Sequence, residues 1–176
     1  PTRVVVSITG PDAGSGAAQA REAEAVGADL LEIRLDLFPR LEEALQLLKG
    51  RAVPTIAACR RASEGGNFKG NEASRRLALE AAAKAGAAYL DLERDVLAWR
   101  SKGAKVIGSH HDVRGGPGDA HTILKGMLAK GADLAKLAAK ARSREKEGVS
   151  RRRAAQLAEL GRDPTSPDLQ LDLVDR

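Results

Sequence analysis

The sequence predicts an α/β fold of the (β/α)-barrel type, incomplete, with six clear βα units followed by a divergent tail. Three observations point there. Short apolar runs alternate with alanine-rich helical stretches, the helical stretches stop at glycines, and the apolar runs end in polar or charged residues. Regular alternation implies parallel strands with right-handed crossovers.

In chain order, RVVVSI (3–8) precedes the helical AAQAREAEAVG, and ADLLEIRLDL (28–37) precedes LEEALQLLKG. PTIAACR (54–60) precedes ASRRLALEAAAKAG, and AAYLDLE (87–93) leads into the short DVLAWRSKG. AKVIGSHHD (104–112) precedes HTILKGMLAKG, and ADLAKLA (132–138) follows. Gly27, Gly50, Gly86, Gly103 and Gly131 stand where helices stop. An open doubly wound sheet would fit this rhythm as well as a barrel does. The strand ends favour the barrel. By period-two spacing Glu32, Arg34 and Asp36 share a face, as do Asp91 and Glu93, and Ser109 and His111. Polar residues gathered at the carboxyl ends of parallel strands are how a TIM barrel builds a site.

Composition narrows the classes. The 176 residues are 43% apolar and 30% charged, with mean hydropathy −0.31, which excludes a disordered tail, a collagen-like repeat and a membrane protein. Only 2% are aromatic, which argues against modules that stack nucleic-acid bases. Cys59 is the single cysteine, so an internal disulfide or a thiolate metal cluster is not expected. No basic-then-apolar leader and no apolar stretch near ~18 residues is present, so the expectation is a soluble, cytoplasmic protein without membrane contact. The net charge of +5 sits in one segment: residues 140–153 hold seven Lys/Arg and two Glu. A solvated helix or loop accounts for that segment, and no nucleic-acid partner is expected.

The turn TGPDAGSG (9–16) matches the glycine pattern of short-chain dehydrogenases, and Asp36 follows at the ribose-binding distance. Those enzymes need a Tyr with Lys four residues on, whereas the only tyrosine, Tyr89, is followed there by Glu93. Pro11 and Asp12 are ordinary turn residues, so a dinucleotide site is not expected.

Four segments at strand ends belong together: EIRLD (32–36), CRRASEGG (59–66), SHHD (109–112) and ADLAKLA (132–138). With VSITGPDA and VPTIAACRRASEGGNFKG, this ordered set over residues 3–138 resembles type I 3-dehydroquinate dehydratase, an enzyme of the shikimate pathway of aromatic amino acid biosynthesis. The resemblance implies a (β/α)₈ barrel, a hydro-lyase that works through a Schiff base, and neither metal nor other cofactor. Its small-molecule substrate would be 3-dehydroquinate, dehydrated to 3-dehydroshikimate.

The residue types suit that chemistry. A β-hydroxy ketone loses water readily once its carbonyl is a protonated imine, and imine formation needs an amine nucleophile. The resemblance puts Lys136 in that role, with desolvation and nearby arginine expected to favour the neutral amine. A proton must leave the neighbouring carbon and reach the departing hydroxyl. Histidine can do both, and the S-x-H-[DN] pattern assigns His111, not His110, which alternates away and is expected to pack or cap. Glu64 corresponds to the carboxylate that orients the histidine. Glu32, Arg34 and Arg60 would bind ring hydroxyls, with Ser7 as a further contact. Arg61 lies on the alternate face as a surface residue, and Cys59 reads as a small packed side chain.

A complete barrel needs ~200 residues or more, so barrel closure is where the pattern departs from the family. Residues 1–139 form the barrel's catalytic region, and 140–176 a basic, divergent segment of the same domain. Within it Arg151 is a remnant of the family's carboxylate-binding arginine, Ser166 and Gln170 match its substrate loop in spacing, and DLQLDLV (168–174) alternates like a strand. A free sheet edge leads to the expectation of a homodimer. The alternative reading is a non-catalytic, truncated barrel relative serving as a sugar-acid binding or regulatory module.

Overall fold

In the computed structural model, residues 3–112, 119–139 and 171–174 are described. Six parallel strands follow the predicted order: β1 (Arg3–Ile8), β2 (Leu30–Arg34), β3 (Thr55–Ala58), β4 (Tyr89–Glu93), β5 (Lys105–Asp112) and β6 (Leu134–Ala139). Four helices connect them: α1 (Ala13–Ala25), α2 (Leu41–Leu47), α3 (Glu72–Lys84) and α4 (Ala120–Ala129). The alternating tail segment supplies β7 (Leu171–Val174), which pairs antiparallel with β1. The sheet order is β6-β5-β4-β3-β2-β1-β7, so the six parallel strands are neighbours in sequence order and β7 covers the edge of β1.

Two predicted elements differ. The link DVLAWRSKG is a set of turns, not a helix, with Leu97 buried against the core. Strand β2 stops at Arg34, and Leu35–Leu37 form a 3-10 turn instead of continuing the alternation.

The strands carry two apolar faces. On one, Val6, Ile8, Leu31, Ile33, Ala57, Leu90, Leu92 and Val106 pack against Ala20 and Ala23 of α1, Ala44 and Leu47 of α2, Leu79 and Ala82 of α3, and Met127 of α4. On the other, Val5, Leu30, Ile56 and Ile107 cluster with Tyr89 and Leu134, one residue from each parallel strand. Small alanines on the helices let them lie close to the sheet. The sequence G-A-D-L occurs at both 27–30 and 131–134 and folds alike each time. The glycine takes φ +87° or +88°, the alanine is buried, and the aspartate accepts the backbone N–H of Val4 or Val106 on the preceding strand. A positive φ ends the helix at little cost only for glycine.

The sheet is strongly curled. Strands β2 and β6 lie four places apart in the sheet order, about 19 Å on a flat sheet. Yet Lys136 of β6 meets Glu32 of β2 at 2.7 Å. The face carrying Val5, Leu30, Ile56, Tyr89, Ile107 and Leu134 is therefore concave, the inside of a partial barrel.

Candidate active site

Two residues beyond that apolar layer, each strand places its next inward position: Ser7, Glu32, Ala58, Asp91, Ser109 and Lys136. Five of these six are polar, and all five are buried. Lys136 Nζ lies 2.7 Å from Glu32 Oε2 and 3.4 Å from Asp91 Oδ2. Arg60 Nη2 lies 3.3 Å from Glu32 Oε1 and 3.7 Å from Asp91 Oδ2. Ser109 donates to Asp91 Oδ1. Two cations and two carboxylates thus share one buried knot. Such a cluster is tolerable inside a protein because each charge has partners on opposite signs. Burial pushes the Asp91 carboxyl up, but Lys136 and Arg60 outweigh it and hold the group well below the usual carboxylate range.

That arrangement adds to one expectation. An arginine, Arg60, does stand near Lys136, and two carboxylates, Glu32 and Asp91, accept from the amine and pair with Arg60 as well. Asp91 is the site residue that sequence reasoning did not assign. Its alternation with Glu93 put it on the right face, but nothing local signals that a lysine 45 positions on will reach it.

At the rim stands a second cluster. Glu64, in the 3-10 turn Ala62–Glu64 after β3, accepts both the backbone N–H of His111 and its ring Nδ1 at 3.1 Å. The other carboxylate oxygen lies 3.7 Å from His110 Nδ1. At that distance His110 is a neighbour of Glu64 without a hydrogen bond to it, and among the described residues its Nδ1 is buried without a hydrogen-bond partner. Burial raises the Glu64 carboxyl, and the hydrogen bonds from His111 more than offset this, lowering it overall. With Nδ1–H held by Glu64, the tautomer left at Nε2 is an acceptor. His111 Nε2 is buried and has no hydrogen-bond partner among the described residues.

Arg34 makes a two-pronged pair with Asp36, at 2.9 and 2.7 Å. The 3-10 turn folds Asp36 back over Arg34, where alternation would have sent both along one face. Asp36 also accepts the backbone N–H of Arg60 and Asn67, so one carboxylate ties the ends of β2 and β3 together. Burial raises this carboxyl, but the bonds from Arg34 prevail and its pKa falls below 3.8. Cys59 is buried, and burial pushes its thiol up to about 12, the behaviour of a packed side chain. Arg61 is not a free surface residue: it pairs with Asp95 and lies 3.6 Å from Glu93. Arg151, Ser166 and Gln170 lie outside the described residues.

The dehydrogenase-like turn has another use. Asp12 caps α1 by accepting the N–H of Ser15. A Cβ on Gly16 would come within 2.6 Å of Leu47, so this glycine serves helix packing. Among the described residues no group of three or more His, Cys, Asp and Glu side chains could hold a metal ion, and no helix is long and apolar enough to cross a membrane.

The family model for type I 3-dehydroquinase matches residues 4–147. The chain belongs to the type I 3-dehydroquinase family. Among curated relatives, 3-dehydroquinate dehydratase of Dehalococcoides mccartyi is 42% identical over 119 residues, covering 63% of this chain and 53% of that protein. The enzyme of the same name from Methanothrix thermoacetophila is 34% identical over 142 residues, covering 78% of this chain and 61% of its own. The chain thus spans about half the length of the first of these relatives. The fold agrees with the crystal structure of type I 3-dehydroquinate dehydratase from Clostridium difficile. That match has a TM-score of 0.72 at 22% identity, over 89% of this chain and 71% of that one. Family membership accounts for the order of the motifs, and the half-barrel for where they meet.

Proposed function

We propose that the protein is a 3-dehydroquinate dehydratase that converts 3-dehydroquinate to 3-dehydroshikimate, a hydro-lyase step of the shikimate pathway. The observation that supports this reading is that Glu64, on the loop after β3, holds the His111 ring of β5, while Lys136 of the neighbouring strand β6 is buried against Glu32 and Asp91. A binding module has no need of a buried amine beside a histidine whose ring is held by a carboxylate. The alternative of a non-catalytic sugar-acid module is therefore not favoured.

In this reading the Lys136 amine adds to the ring ketone and water leaves, giving an imine. Protonated, the imine acidifies the adjacent carbon. His111 Nε2 takes a proton from that carbon, and the electron pair moves into an enamine. Collapse of the enamine expels the β-hydroxyl, which takes the proton from His111 and departs as water. Water then hydrolyses the imine and returns the free lysine. The sum is loss of one water, with no redox change and no cofactor required. Glu64 holds the His111 ring and balances its charge when protonated. Glu32, Arg34, Arg60 and Ser7 bind ring oxygens, with Arg151, Ser166 and Gln170 supplying the carboxylate contact and loop from the segment 140–176.

Residues 1–139 act here as the catalytic region and 140–176 as its basic extension. We place the protein in the cytoplasm, supported by its single cysteine, and take it as a homodimer. The support for the dimer is that β6 pairs on one side only among the described residues; a single monomeric species by sedimentation would overturn it. For the reaction, borohydride added during turnover of 3-dehydroquinate should attach ligand mass to the peptide containing Lys136. His111→Ala should still trap that adduct while turnover falls by about 10²–10⁴-fold. Turnover with Lys136 left unmodified would sink the mechanism.

A further inference from the structure

We propose that the ion pair between Arg75 and Glu93 is a positioning device that sets Arg60, and through the same loop Glu64, for the reaction proposed above. Arg75 lies on α3 and is 1% exposed. Its Nη1 donates to the backbone carbonyl of Cys59 at 3.1 Å and sits 2.6 Å from Glu93 Oε2. Its Nε and Nη2 hold both oxygens of Glu72. The other oxygen of Glu93 accepts the backbone N–H of Arg61 at 3.3 Å. The pair therefore grips the chain on both sides of Arg60, at the carbonyl before it and the amide after it.

The backbone of Arg60 is held as firmly. Its N–H donates to Asp36 and its carbonyl accepts from Phe68. A Cβ on Gly66 would stand 2.1 Å from that carbonyl, so the loop closes over it at a distance only glycine permits. One residue on, the carbonyl of Arg61 accepts the N–H groups of Glu64 and Gly66. Every backbone bond around Arg60 thus fixes where its guanidinium enters the knot with Glu32 and Asp91, and fixes the turn that delivers Glu64. A buried charge pair is costly unless each ion has directed partners. Here the partners of Arg75 and Glu93 are the Cys59 carbonyl and the Arg61 amide of this one loop, together with Glu72 at the start of α3. Among the described residues no hydrogen bond or ion pair joins either side chain to Lys136 or His111. Their work is preorganisation of groups that do the binding.

The test is a double-mutant cycle on the full chain with Glu93→Gln, Arg60→Ala and the two combined. Glu93→Gln should raise KM for 3-dehydroquinate about tenfold and change kcat less than about threefold. In the Arg60→Ala background the same change should add less than about twofold, because the group it positions is gone. Glu93→Asp, which keeps the charge but draws it back from Arg75 and from the Arg61 amide, should repeat the KM signature and carries the test if Glu93→Gln does not fold. A wild-type KM in folded Glu93→Gln, or a full tenfold effect added on top of Arg60→Ala, overturns the proposal. If the wild-type protein does not turn over 3-dehydroquinate, the functional reading fails by itself. Positioning is then read from the Nε–H NMR signal of Arg60. That signal should lose order in Glu93→Gln but not in Glu80→Gln; unchanged order overturns it.

Discussion

On the concave wall, Val5, Leu30, Ile56, Tyr89, Ile107 and Leu134 form one layer, and Ser7, Glu32, Ala58, Asp91, Ser109 and Lys136 the next. The same six strands supply both, two residues or about 6.6 Å apart. The first layer removes apolar surface from water and is indifferent to which aliphatic chain does so, provided the volume is kept. The second contains a lysine and two carboxylates, with Arg60 reaching in from the end of β3, every one of them out of water. The difference teaches that a parallel half-barrel separates stability from chemistry along the strand, not between strands. A change at the floor should alter how well the protein folds, and a change one layer up should alter what it does.

Lys136→Met tests the upper layer most severely. The thioether fits the lysine's volume, so a folded protein is expected whose 3-dehydroquinate turnover falls at least about a thousandfold. Retained turnover would place the chemistry elsewhere. Ile56→Ala tests the floor: chemical denaturation should show a loss of about 2–4 kcal/mol, with kcat at saturation nearly unchanged. If kcat fell as far as stability, the two layers would not be separable.

Acid sharpens the contrast. The folded-state carboxyls of Asp36 and Asp91 lie below their ordinary value of 3.8, Asp91 at about 2. Their contribution is complete above that ordinary value and is lost as pH falls through the depressed ones. Stability should therefore decline between about pH 4 and pH 2, and Asp36→Asn should be less stable at neutral pH but lose less on acidification. The cost of Ile56→Ala should stay the same across that range, since no charge is involved. An acid response identical in the Asp36→Asn variant would remove this carboxylate from the account.

The smallest effect is expected at the paired histidines. His110→Ala should change kinetics modestly, within about threefold, against the large loss in His111→Ala. The reverse ranking would mean that His110, and not the ring held by Glu64, faces the substrate.

Much of this was legible in one dimension. Alternation of apolar runs with alanine-rich stretches predicted six parallel strands in order, because burial on both faces of a parallel sheet demands such runs. Period two put Glu32 with Arg34, Asp91 with Glu93, and Ser109 with His111, each group on one face of its own strand. Alternation failed at Asp36, since the 3-10 turn at Leu35–Leu37 broke the period. It also missed the fourth link, where the eleven residues between β4 and β5 settle into turns around Leu97.

The sequence by itself determined which residues share a face and in what order the strands follow, because both are set by backbone periodicity and short connections. Only the tertiary structure decided which distant charges meet. The curl of the sheet brings Lys136 to Glu32 across 104 positions, delivers Glu64 to His111 across 47, and leaves Arg75 clamped behind Arg60. Curvature is a collective result of strand twist and helix packing, and no local pattern of residues encodes it.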